Sequence, residues 1–146
     1  MIKQLQFAPI VQTKRIIELG IDKELFEEVW WYIPKKDGVI ISSKNLNSDY
    51  EYVCPAISVA ELGEMLNFDY DAYGFTCCFF SYANTNPFTA SYGGNWSVGY
   101  RNPSKFENPN IKAETEGEAR ALMLIFVLEN NIAKAEDINE HLRSLK

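Results

Sequence analysis

The sequence predicts an α+β fold in a single domain over residues 1–146, and three observations predict it. The segments near both chain ends show helical spacing of apolar residues, residues 75–101 are rich in aromatic and β-favouring side chains, and residues 116–130 form a long apolar helix. We therefore expect a small antiparallel sheet with that helix laid across it. Of the 146 residues, 47% are hydrophobic and 23% are charged, a composition that fits one globular domain.

The first predicted element is a helical hairpin at the amino terminus, whose first helix spans residues 10–19. Gly20 follows as a left-handed C-terminal cap, and Ile21 is expected to fold back on Ile16. Asp22 then caps a second helix. The apolar face of that second helix is formed by Leu25, Phe26, Val29 and Trp30.

The end of the second helix is ambiguous in the sequence. Residues 30–33, Trp-Trp-Tyr-Ile, could instead begin a strand, since periodicity alone does not decide between helix and strand. Pro34 is expected to end the element. Asp37-Gly38 indicates a turn, and residues 39–41 form a short predicted strand.

A loop and a short helix are predicted next. Residues 42–52 are polar and predict the loop. Ser58 and Glu61 form a capping box, in which each side chain accepts a hydrogen bond from the other residue's backbone N–H. The helix is therefore expected to start at this pair and to end near Leu66. Its apolar face is formed by Leu62, Met65 and Leu66.

The sheet is predicted from three segments of high β-propensity. Residues 75–82 form the first strand. Residues 89–92 and 96–101 form two more around Gly93-Gly94-Asn95, whose residues adopt positive φ readily, as a hairpin turn requires. Residues 102–112 contain two prolines and are expected to be an irregular connection.

Two helices are predicted at the carboxyl end. Thr115 and Glu118 form a second capping box, which predicts the start of the long helix at 116–130. Residues 121–128 are apolar on every side of that helix, which is typical of a helix buried in a core or in an interface. A last helix is predicted at 135–145. Its apolar positions are Ala135, Ile138, Leu142 and Leu145.

Residues 72–100 contain no charged side chain and carry nine of the twenty aromatic residues. One face of an antiparallel sheet normally carries charged residues toward solvent, so this composition has two interpretations. Either both faces are covered within one chain, or one face binds a partner, since interface cores are uncharged and rich in Tyr and Trp. A second copy of the chain, giving a homodimer, is the simplest partner. The candidate partner surface consists of Phe79, Tyr82, Tyr92, Trp96 and Tyr100.

Charge and motif content argue against several functions. With 20 acidic and 14 basic residues the net charge is −6, which argues against binding a nucleic-acid backbone. The sequence offers no metal-ligand spacing, no phosphate-binding loop and no nucleophile motif, so we predict no catalytic residue, no metal, no cofactor and no enzyme activity. His141, the single histidine, is expected to be solvated on the last helix.

The sequence also predicts a cytoplasmic protein without a membrane segment. The longest apolar run, residues 121–128, is much shorter than the ~20 residues that span a bilayer. The first residues lack the pattern of a signal peptide. The three cysteines are expected to be small buried residues in a reducing compartment. They are Cys54, Cys77 and Cys78.

Several stretches carry a family resemblance. Residues 12–22 form a short helix ending in Leu-Gly-Ile, ahead of a second element that ends in the aromatic residues 30–32. Residues 54–66 contain a Ser-capped leucine motif, and residues 114–130 form a helix that follows an aromatic segment. In this order they resemble a group of small uncharacterised prophage and mobile-element proteins of gut anaerobic bacteria. That resemblance implies no activity, substrate or catalytic residue.

Two functional hypotheses follow. The first is a non-enzymatic accessory protein, of prophage or mobile-element origin, that acts through protein–protein interaction. The alternative is an acidic inhibitor or antitoxin-like protein that neutralises a basic partner. A strand such as 96–100 followed by a Thr-x-x-Glu-Ala helix is similar in pattern to HicB-type antitoxins. An enzyme with an unfamiliar site would need a concave pocket with converging polar groups.

Overall fold

The computed structural model confirms the α+β class. It describes residues 7–26, 30–35, 38–43, 54–68, 70–72, 75–83, 96–101 and 110–146. The helices are α1 (Ile10–Glu18), α2 (Val59–Leu66), α3 (Glu116–Glu129) and α4 (Ala135–Ser144), with a four-residue 3-10 helix at Lys23–Phe26. The strands are β1 (Trp30–Lys35), β2 (Gly38–Ser43), β3 (Cys54–Pro55), β4 (Tyr70–Ala72), β5 (Phe75–Ala83), β6 (Trp96–Arg101) and β7 (Asn110–Ala113).

Helix α1 ends as the sequence predicts, at a glycine in the left-handed region. Gly20 has φ 111°, and its N–H donates to the Ile17 carbonyl at 3.0 Å. The Ile21 N–H donates to the Ile16 carbonyl at 3.4 Å. These two hydrogen bonds form a Schellman motif, which satisfies carbonyl groups left free at the helix end. Ile16 and Ile21 are both buried in the main core.

The second limb of the predicted helical hairpin differs from the prediction. Asp22 does cap, since its Oδ1 accepts the Glu24 N–H at 3.0 Å, but only Lys23–Phe26 are helical, as a 3-10 turn. Strand β1 then begins at Trp30, which was the alternative left open by the sequence. Pro34 lies inside this strand, opposite Val39, and does not end it. The aromatic and β-branched side chains at the start of β1 favour a strand, and pairing with β2 fixes it.

Strands β1, β2 and β3 form a three-stranded antiparallel sheet in the order β2-β1-β3. It contributes Tyr32 and Cys54 to a small apolar cluster with Phe7 and Ala56. The Tyr32 hydroxyl donates to the Ala8 carbonyl, which connects the sheet to the segment before α1. The predicted strand 39–41 is confirmed within β2. Apart from the last two residues of β2, the predicted loop 42–52 lies outside the described residues, as does Asp37 of the predicted turn.

Strands β4 to β7 form a four-stranded antiparallel sheet in sequence order. Strands β5 and β6 confirm two of the predicted segments. Strand β7 corrects the irregular connection predicted for 102–112, because residues 110–113 pair with residues 96–99 of β6. The short strand β4 was also not predicted. The predicted strand and turn over 89–95 lie outside the described residues.

Helix α3 is the central element of the fold. It contacts the four-stranded sheet through β5, β6 and β7, and it also contacts α1 and α2. Contacts with several elements explain why its second half is apolar on every side. Its fully buried side chains include Ala121, Met123, Leu124 and Val127. The expectation of burial in a core is therefore confirmed for most of 121–128, although Phe126 is 37% exposed.

Side-chain caps start α2 and α3, but the predicted capping box is complete only at α2, and at α3 one of its two hydrogen bonds is present. Ser58 and Glu61 form the complete capping box, with hydrogen bonds of 3.1 and 3.0 Å in the two directions. At α3, Thr115 Oγ1 accepts the Glu118 N–H at 3.1 Å. Helix α3 ends at Glu129, and two residues later Asn131, whose φ of 55° is left-handed, turns the chain toward α4.

Helix α4 contacts α2 and the 3-10 helix. Ile138 and Leu142 are buried, in agreement with the predicted apolar face. Leu145 was placed on the same face, but it follows the helix end and is 55% exposed. Asn139, which follows Ile138, is also buried, although it is polar and does not belong to the predicted apolar face.

Candidate functional site

Strand register divides the four-stranded sheet into two faces. Directly opposed residues of antiparallel strands share a face, and successive residues alternate between faces. The inner face packs on α3 and carries Phe79, Trp96, Val98, Tyr100 and Ala113. The outer face carries Phe80, Tyr82, Ser97, Gly99, Asn110 and Lys112. The sequence-predicted partner surface is therefore split between the two faces.

Tyr100 is a core residue. It is fully buried, and its hydroxyl donates to the Leu66 carbonyl at 2.6 Å. Its ring lies 5.3 Å from the ring of Phe68 and 5.8 Å from that of Phe79, measured between centroids. A side chain held in this way cannot contact a partner, so the expectation that Tyr100 belongs to the partner surface is corrected. The sequence could not show this, because burial here depends on which strands pair.

Phe79 and Trp96 also lie on the inner face, partly buried against the main core. The Arg120 guanidinium carbon lies 5.7 Å from the centre of the Phe79 ring, and burial lowers the pKa of that guanidinium. Arg120 Nη1 donates to the Val59 carbonyl at 2.8 Å, so this arginine links α3, α2 and β5. Tyr92 lies outside the described residues.

Tyr82 is the one member of the predicted surface that the described outer face exposes. It is 44% exposed, and its ring stacks on that of Phe80 at 5.5 Å with an interplanar angle of 26°. Its cross-strand neighbour Ser97 is buried, so the middle of the outer face is not open. On β5 this face exposes Tyr82 beside the half-buried Phe80, and we call these two residues the outer aromatic pair; on β7 it exposes Asn110 and Lys112.

A second feature is a pocket of about 310 Å³ between α2, the α3–α4 link and α4. Its apolar lining is Met65, Phe68, Ile132, Ala133 and Ile138. Its polar lining is Glu64, Asn67, Asp137 and His141. Sequence reasoning missed this pocket, because its residues come from two segments more than sixty positions apart.

The polar lining gives the pocket a negative rim. His141 Nε2 lies 3.8 Å from Glu64 Oε2, and both side chains are about half exposed. The expectation that His141 is solvated is confirmed, but its position opposite Glu64 depends on the packing of α4 on α2. Asp137 is exposed on the same helix, one turn before His141. The rim thus combines two carboxylates with one imidazole.

A ring contact and backbone hydrogen bonds hold the pocket wall in place. The Tyr100 ring packs against Phe68, and the Phe68 N–H donates to the Leu66 carbonyl at 2.8 Å. On the opposite side, the Ile132 N–H donates to the Val127 carbonyl at 3.0 Å at the end of α3. Tyr100, which was expected to bind a partner, thus supports the aromatic wall of this pocket.

The described residues hold no group of three or more His, Cys, Asp and Glu side chains that could bind a metal ion. Cys54 is buried, and burial raises the pKa of its thiol, which agrees with the expected structural role for this cysteine. The side chains of Cys77 and Cys78 lie outside the described residues. In the part of the chain that the structure describes, none of the helices has the length and apolar character needed to cross a membrane.

Comparison with known proteins gives no match. No protein family, no curated protein and no solved structure is significantly similar to this chain. The function is therefore argued from the outer aromatic pair, the pocket and the distribution of charge.

Proposed function

We propose that this protein acts by binding another protein, a second copy of itself in the simplest case, through the outer aromatic pair. The observation that supports this is the 44% exposure of Tyr82, stacked on Phe80, on the sheet face opposite the core. Tyr is among the residues that contribute most to binding at interfaces. A non-enzymatic role agrees with the lack of a recognisable catalytic motif in the sequence.

The charge distribution favours self-association at this place over others. A chain of net charge −6 repels a second copy of itself wherever acidic surfaces meet. Residues 72–100 carry no charge, and the charged side chain that β7 exposes on the same face, Lys112, is basic, so acidic repulsion between two copies is weakest there. The outer aromatic pair lies within this segment and supplies apolar area to bury.

The test is the molar mass in solution, measured by size-exclusion chromatography with light scattering over a range of concentrations. We expect the wild-type chain to form a dimer. Tyr82→Ser should raise the dissociation constant of this dimer at least about tenfold, as the loss of a central interface side chain does. Val11→Ser is the matched control, because Val11 is 72% exposed on α1, far from the charge-free segment in sequence. A wild-type monomer at every concentration, or equal effects of the two substitutions, would contradict self-association.

The alternative, an acidic inhibitor of a basic protein, is favoured by one observation. Helix α4 exposes Glu136, Asp137 and Glu140 on the surface. Carboxylates in this arrangement attract a basic partner in a salt-dependent manner. A pull-down of basic proteins that survives high salt, or that is unchanged in Glu136→Gln with Glu140→Gln, would count against this function.

We also propose a cytoplasmic location, and the origin in a prophage or mobile element stays a prediction from the resemblance of the sequence. Cell fractionation of the native host tests the location. Genes for phage structural or mobilisation proteins on either side of this gene would support the origin, and housekeeping neighbours would argue against it.

A further inference from the structure

We propose that the pocket between α2 and α4 binds a small organic cation, a primary amine that carries an aromatic or branched alkyl group. This goes beyond the proposed protein–protein interaction and uses a different part of the molecule. The pocket volume of about 310 Å³ is near the lower end of small-molecule sites, which begin at ~300 Å³. The occupant is therefore closer in size to a single amine than to a nucleotide.

The apolar lining specifies the body of this ligand. Met65 and Ile138 are 1% and 6% exposed, so they form a closed base instead of flexible surface groups. Phe68 adds an aromatic ring to the lining. The centroid of this ring lies 5.3 Å from that of the buried Tyr100 ring, which keeps Phe68 in place. Apolar groups bind to such a surface because they leave water, and a wall held in place costs little ordering.

The carboxylates that line the pocket indicate that the ligand carries a positive charge. Glu64 and Asp137 line the pocket, and none of its lining residues is Lys or Arg. With the imidazole of His141 neutral, the lining carries a formal charge of −2, which attracts an ammonium group and repels a carboxylate or phosphate. Phe68 lines the pocket as well, and an aromatic ring attracts a cation at its face. The two carboxylates and the apolar base together fit a charged head on an apolar body.

The test uses three probes with the same ring and different head groups: 2-phenylethylamine, 2-phenylethanol and 3-phenylpropionate. Each is titrated into the 15N-labelled full-length chain at pH 8, and amide shifts are followed. We expect the amine to bind most tightly, with shifts concentrated at residues 64–68 and 132–141, the alcohol more weakly and the carboxylate not at all. Methylammonium, which lacks the ring, should bind weakly.

Two substitutions and a matched control test which carboxylates attract the ammonium group of the ligand. Glu64→Gln and Asp137→Asn should each weaken 2-phenylethylamine binding about threefold, while binding of 2-phenylethanol stays unchanged. Glu136→Gln makes the same charge change on α4 at a residue outside the pocket lining and should leave both unchanged. Circular dichroism shows whether each variant is folded. Equal affinity for the three probes, no amine binding at millimolar concentration, or an equal effect of Glu136→Gln would overturn the proposal.

Discussion

Asn139 joins two parts of the chain that are far apart in sequence. Its Nδ2 donates to the Gly20 carbonyl at 2.9 Å, and its Oδ1 accepts the Asp22 N–H at 2.9 Å. Asn139 is only 8% exposed, so the two backbone groups depend on its side chain for their hydrogen bonds. A single amide thus fixes α4 against the turn that follows α1.

Asn139→Ala should therefore be strongly destabilising. Removing the amide leaves one N–H and one carbonyl without their partner, and we expect the free energy of unfolding to fall by about 2–4 kcal/mol. Urea denaturation followed by circular dichroism measures this change. Glu140→Ala, at the exposed neighbouring position on α4, should change stability by less than about 0.5 kcal/mol. Similar losses in the two variants would contradict the role given to Asn139.

Asp22 makes stability depend on pH. The Glu24 N–H, and then Arg143 at 2.7 Å, hold the pKa of the Asp22 carboxyl below its usual range. The folded chain therefore binds fewer protons here than the unfolded chain, so this contribution is present above the ordinary Asp pKa of about 4 and is lost as pH falls through the lower folded value.

Asp22→Asn should accordingly be less stable than the wild type at pH 7, and the difference should shrink as the pH falls below about 4. Urea denaturation of both proteins at pH 7 and at pH 3 measures it. A difference of equal size at the two pH values would show that the ionised carboxylate is not what stabilises the fold here.

Helix α3 is the element on which the rest of the fold is assembled, and Gly117 shows how closely other parts approach it. A Cβ at this position would overlap the Phe7 carbonyl group, whose carbon would lie 2.7 Å away. The amino-terminal segment thus crosses the first turn of α3 at backbone contact distance. Only glycine permits this approach, although glycine disfavours a helix.

Gly117→Ala should destabilise the protein by about 1–3 kcal/mol, because the clash outweighs the higher helix propensity of alanine. The comparison is Gly63→Ala in α2, where the new Cβ would meet the end of the Arg120 side chain, which can shift more easily than backbone. Thermal unfolding of both variants measures the losses. A Gly117→Ala protein as stable as the wild type would mean that this backbone contact is absent.

Elements with local signals could be predicted from the sequence. The Ser58–Glu61 capping box and the glycine after α1 are complete within a few residues, and both are in place. Strand β7 could not be predicted, since four residues become a strand only through pairing with β6. Residues 30–35 carry β-favouring side chains, but the choice of strand over helix depends on pairing with β2.

In the candidate sites, too, some features follow from local sequence and others depend on the packing of distant elements. Side chains alternate along a strand, so the three-residue spacing of Phe79 and Tyr82 on β5 already predicts that they lie on opposite faces. The burial of Tyr100 and the meeting of Glu64 with His141 could not, because each depends on the packing of elements distant in sequence. Aromatic composition alone identified the segment but not its accessible face.

The molecule as a whole is acidic, and Arg15, Arg120 and Arg143 are paired with carboxylates. Arg15 on α1 bonds Glu129 at the end of α3 at 3.0 Å, and Arg120 bonds Glu116 at 2.8 Å. Exposed pairs such as Arg15–Glu129 add little stability because solvent screens them, but they neutralise basic surface. The net charge of −6 lies outside residues 72–100, which carry no charged side chain. This contrast is the main reason for placing self-association at the outer aromatic pair.

The salt dependence of the association constant tests that placement most directly. Sedimentation equilibrium at low salt and at ~0.5 M NaCl, where exposed charges are screened beyond a few ångströms, compares the two conditions. Two acidic chains that meet at the outer aromatic pair, whose two side chains are uncharged, should associate more strongly at high salt, because their mutual repulsion is screened, and Tyr82→Ser should remove most of the association. A chain that is monomeric in both conditions, or an association that weakens with salt or ignores Tyr82→Ser, would contradict the account.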